Sequence, residues 1–194
     1  TLAEFKLSIS QKYKRHRPRL LILLGNPALL MRDEYRELWG DIPIVLCSEE
    51  NYLGPQETYT KKQAIATADR TPLTQLADPY NMVLLYSNLY LDENIQLICH
   101  IVPEIKKFIF IGDARQINQT NNLDIRNKLK KTHPNVEYQF ITPQDMTTNQ
   151  LLDSLYFVDP KTTGVLFSSW FYKTTFAGNT SLVSRSEERR VGKE

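Results

Sequence analysis

Cysteine is scarce, with two in 194 residues, which is too few for a disulfide framework. Cys47 ends an apolar run and Cys99 lies on the apolar side of a helical one, places that suit buried free thiols. No apolar stretch approaches the roughly 20 residues that span a bilayer. No signal peptide opens the chain, and Thr1 is not an initiator, so the sequence reads as starting mid-protein. One-signed charge is also missing. The net charge is +2, with Lys and Arg spread along the chain, so a nucleic-acid partner is not expected. Neither GxxxxGK[ST] nor GxGxxG is present to cradle a phosphate, and no GxSxG elbow exposes a nucleophilic serine. His16, His100 and His133 all fall near helix C-termini, without a Cys, His or carboxylate at ligand spacing. Neither zinc nor another cofactor is therefore expected. These absences give no positive argument for an enzyme.

What is present is a repeating strand–helix pattern in a chain with ten Tyr and eight Phe. Leu2, Phe5, Ile9 and Tyr13 step by three and four residues, so 2–16 predicts an amphipathic helix. The cluster Lys12, Lys14, Arg15, His16 and Arg17 closes it as a cationic cap. Apolar runs at 20–24, 42–47, 82–86, 108–111, 136–141 and 165–167 predict strands. Helices are expected at 28–38, from Asp92 to Val102, at 123–133 and after Asp145 or Thr147. Phe108-Ile109-Phe110-Ile111 does not alternate, as expected of a parallel strand covered on both faces. Residues 53–79 are polar and broken by Gly54-Pro55, Thr71-Pro72 and Asp78-Pro79. They read as a long excursion with one short helix near 60–68. The last ten residues, RSEERRVGKE, join no expected element and read as non-native, adapter-derived sequence. The fold class is α/β, with parallel sheets flanked by helices.

In such a fold the C-terminal strand ends share one edge, where ligands bind. Here they carry Asn26, the run from Ser48 to Tyr52, the run from Tyr86 to Tyr90, Asp113 with Arg115, Thr142, and the run from Ser168 to Tyr172. Aromatic faces beside Asn, Asp, Glu and Arg suit a small polar ligand, sugars especially. Each residue alone has an ordinary structural explanation; for Asp113 it is a turn or an N-cap.

The segments RPRLLILLGNPAL, GDIPIVLCSEENY and ENIQLICHIVPEIKKFIFIGD, with the later LLDSL and TTGVLFSSWFYK, resemble the type I periplasmic-binding-protein superfamily. The likeness is to its ABC-type solute-binding domains that serve as sensor regions of bacterial two-component histidine kinases, and it covers about residues 2–178. It implies two Rossmann-like lobes joined by hinge strands: 1–86 in the first, 87–90 as a hinge crossing, 91–184 in the second, and 185–194 as the non-native tail. The family has further units before and after these, so the resemblance is to a middle fragment. The excursion at 53–79 is also longer than the family's usual link. The implied activity is not catalysis but closure on a small polar ligand such as a sugar, passed to a histidine kinase or a permease. Extracytoplasmic placement is implied, with contact to a membrane only through other parts of the protein. Asn26, Glu49, Asn51, Tyr86, Asp113, Arg115, Ser168, Trp170 and Tyr172 are the implied ligand-binding residues, the aromatics stacking the ligand. Two other readings stand beside this one. They are an α/β hydrolase or glycosyl-transferring enzyme, with Asp113 as its carboxylate, and the effector-binding module of a transcription regulator.

Overall fold

The computed structural model describes residues 2–87, 89–173 and 179–181. In chain order the helices are α1 (Leu2–Lys12), α2 (Arg32–Trp39), α3 (Gln56–Lys61), α4 (Thr74–Ala77), α5 (Leu91–Ile101), α6 (Gln116–Thr132) and α7 (Thr148–Tyr156). The strands are β1 (Leu21–Leu24), β2 (Ile44–Ser48), β3 (Tyr52–Leu53), β4 (Thr71–Pro72), β5 (Met82–Tyr86), β6 (Lys107–Ile111), β7 (Glu137–Ile141), β8 (Thr163–Phe167), β9 (Phe171–Lys173) and β10 (Asn179–Ser181). The fold is mixed α/β with parallel sheets flanked by helices. Its chain contacts form two compact units, 1–60 with 67–89 and 61–66 with 90–194. The expected tail at 185–194 and Asn88 of the expected hinge crossing lie outside the described residues.

The first unit holds a parallel sheet of order β1-β2-β5. Leu23, Ile44, Leu46 and Met82 point to one face, where Tyr35 and Trp39 of α2 cover them. Ile9 and Tyr13 of α1 join the same core, and Tyr13 meets Trp39 edge-on at 5.8 Å. The helix expected at 28–38 begins as a 3₁₀ turn, Asn26–Met31, before α2. Pro27 at its first turn and Gly25 at φ 82° explain that start. Residues 53–79 are more built than a polar excursion. Leu53 and Leu73 are buried in this core, and the helix expected near 60–68 lies earlier, as α3. On the opposite face of the sheet Ile22, Leu24, Val83 and Leu85 are exposed.

In the second unit the sheet order is β7-β6-β8, again parallel. β6 is central and buried on both faces, as its unbroken apolar run predicts. Phe108 and Phe110 meet Ile95 of α5 with Ile125 and Leu129 of α6. Ile109 and Ile111 meet Leu151 of α7 and Trp170. Gly164 sits opposite Phe108 in the register. A Cβ there would come within 2.3 Å of Ile98 Cγ2, so the close approach of α5 requires glycine. Thr147 and Gln150 form a reciprocal capping box at the start of α7. α6 begins seven residues earlier than the run at 123–133 predicts, because its first two turns bury polar Asn118, Thr120 and Asn121 rather than apolar residues. Thr120 accepts a hydrogen bond from the buried backbone of Ile65 at 3.0 Å.

Candidate functional site

At the C-terminal end of β6, Gly112 donates its N–H to Ile141 O at 3.1 Å and the chain turns out of the sheet. Ser168, just past β8, donates its N–H to Ile111 O at 2.9 Å. The second of these bonds sets the 168–171 segment beside the turn that carries Asp113. Asp113 is 2% exposed and receives four donors on its two oxygens. They are the Arg115 N–H at 2.9 Å, Arg115 Nε at 3.0 Å, Asn118 Nδ2 at 2.9 Å and the Ser169 hydroxyl at 2.8 Å. Asn118 in turn accepts from the Ser168 hydroxyl at 2.8 Å. Burial alone would raise the Asp113 pKa. The hydrogen bonds from the Arg115 backbone, Ser169, the Arg115 guanidinium and Asn118 together outweigh it and hold the carboxyl below its ordinary range. The group is an ionised anchor.

What it anchors is Arg115. The Arg115 side chain is 47% exposed, and its guanidinium lies 4.9 Å from the centre of the Phe171 ring. Nε is committed to Asp113, which leaves the two terminal nitrogens of this half-exposed side chain able to donate to a ligand. A planar fork of fixed orientation beside an exposed aromatic face is suited to hydrogen-bond acceptors on a small polar molecule.

Trp170 has a different place from the one expected of a ligand-stacking aromatic. It is 1% exposed, packed with Ile109, Ile111 and Leu151, and its indole N–H donates to Thr148 at 3.1 Å. Alternation along the chain turns it inward and leaves Phe171 as the exposed aromatic. The Tyr172 side chain lies outside the described residues. Thr142, another strand end, is tied to Asp145 by its N–H and hydroxyl, both at 2.8 Å.

The first unit carries its own polar cluster where β1 and β2 end. Asn26, Ser48 and Glu50 are all buried. Asn26 Nδ2 donates to Tyr52 O at 2.5 Å, Ser48 Oγ lies against Asn26 Oδ1, and the Tyr52 hydroxyl donates to Glu50 Oε1 at 2.7 Å. Arg70 covers the Tyr52 ring at 4.6 Å. Tyr59 accepts the Gly54 N–H at 3.0 Å, and burial pushes its hydroxyl up to about 12. Of the residues expected here, Asn26 joins the cluster. Glu49 and Asn51 are exposed on either side of it, and Tyr86 is half exposed. The inward carboxylate is Glu50. The parity of β2, buried at Ile44, Leu46 and Ser48, points to it.

Among the described residues no group of three or more His, Cys, Asp or Glu could hold a metal ion, and Cys47 and Cys99 are free and part-buried. No described helix is long and apolar enough to cross a membrane. Comparison with known proteins returned no family model, no curated protein and no solved structure that matches.

Proposed function

We propose that this chain is part of a binding module for a small polar ligand, a sugar in the first instance, with Arg115 as the principal hydrogen-bond donor. The observation that carries this reading is the Arg115 fork, fixed by a buried, saturated Asp113 and laid beside Phe171. Asp113 serves as support. With four donors on two oxygens it is held ionised but occupied, which favours a binding role over proton abstraction. The ligand accepts from the terminal nitrogens of Arg115 and lays an apolar ring face against Phe171. By its resemblance to solute-binding sensor domains, the module acts outside the cytoplasm and reports occupancy to a histidine kinase or a permease. The test is a thermal-unfolding scan of the chain against sugars, amino acids and nucleosides. Ligand that binds only the folded state raises the midpoint with concentration. Stabilisation by sugars is the expected result, and a flat response across all three classes would overturn the reading.

A further inference from the structure

On the α6 side of the same sheet, a cavity of about 500 Å³ runs along β7 against α6 from Asn122 onward. Asn122, Arg126, Lys130 and His133 line its helical wall, and Tyr138 and Phe140 of β7 line its floor. The helical residues step by four, four and three, so they form one stripe. Arg126 and Lys130 have no ion pair among the described residues, and no acid lines the groove. Glu137, at the start of β7, is paired with Lys107 at 3.3 Å, on the opposite side of the pleat.

β7 ends the sheet. Its Glu137 N–H bonds Lys106 O, and its Ile141 O receives the Gly112 N–H. Parallel pairing then turns the odd residues of β7 toward β6, and the backbone groups of Tyr138 and Phe140 face outward. No described strand pairs with that edge. The groove therefore joins a row of backbone donors and acceptors, an aromatic floor and a wall of unpaired cations.

We propose that this edge is a docking groove for an acidic, extended segment of a partner protein, which adds to the sheet as a strand beside β7. Main-chain bonds to Tyr138 and Phe140 hold the segment, and acidic side chains on its α6 side meet Arg126 and Lys130. Charge decides against a second copy of this chain as the occupant. Two-fold pairing of β7 with β7 would set one α6 cation stripe beside the other. The inference is independent of the Arg115 site.

The probe is a fluorescein-labelled peptide of alternating Glu and Val, titrated into the full chain by anisotropy, with a Lys–Val peptide as control. Saturable binding of the acidic peptide alone, weakened about tenfold by Arg126→Gln with Lys130→Gln, is the expected result. Methylating one alternate set of the peptide's backbone amides should abolish binding, and methylating the other set should not. Arg115→Gln should leave the titration unchanged. Absence of binding overturns the proposal. So does indifference to both methylation patterns together with displacement by inorganic phosphate, which would mark a simple anion site.

Discussion

Replacing Asp113 by alanine is expected to lower the stability of the second unit by about 3 kcal/mol. The substitution removes the acceptor of four hydrogen bonds at once. Arg115 is half exposed and can turn to water, so its share is small. Asn118 cannot: it is 0% exposed, and its Nδ2 would keep only the Ser169 hydroxyl. The pH dependence follows from the same contacts. The folded carboxyl titrates below its ordinary value of 3.8. Its stabilisation is therefore complete above the unfolded value and is lost as pH falls through the lower folded one. Urea midpoints measured from pH 7 downward should show an acid limb in the native chain that is reduced in Asp113→Asn. An identical acid limb in the two proteins would mean that Asp113 is not held ionised by its partners.

Trp170→Ala is expected to be at least as damaging, at about 3–5 kcal/mol, or roughly 10 °C in the melting midpoint of a chain this size. The cost comes from an emptied core site: the ring is 1% exposed and packs against Ile109, Ile111, Ile141 and Leu151. Trp170→Phe keeps most of that packing and loses the bond to Thr148, so about 1 kcal/mol is expected. Fluorescence offers a second check. Both tryptophans, Trp39 and Trp170, are buried, and the native emission should be that of shielded indoles. It should not respond to ligand at Arg115 as a stacking tryptophan would. Quenching of Trp170 by a bound ligand would contradict its place in the core.

The six strands of the two parallel sheets were readable because each is a β-prone run bounded by breakers, and β6 showed its burial on both faces by failing to alternate; the short pairs β3–β4 and β9–β10 carry no such run. The start of α6 was hidden for the converse reason. Its first turns bury Asn118, Thr120 and Asn121, which periodicity counts as polar surface. Asn118 is the linchpin that joins Asp113 to Ser168 and Ser169, and the two serines lie some fifty residues away, beyond any local pattern. Asp113 and Arg115 were visible by their place at a strand end, a position that the fold itself makes special. Trp170 was misplaced because a strand-end aromatic and a core aromatic share one composition. Only the side to which the chain turns separates them. Glu50 was within reach, since the period of β2 carries past Ser48 to it, while the neighbouring Glu49 faces outward.

The most direct test of the account is calorimetric titration of the native chain and Arg115→Gln with the sugar that most raises the melting midpoint. Because Arg115 is half exposed, the variant should melt close to the native midpoint. Its affinity should fall at least about tenfold, the effect of removing a charge-assisted hydrogen-bond donor. Unchanged affinity in a folded Arg115→Gln variant would contradict the assignment of this strand edge as the ligand site.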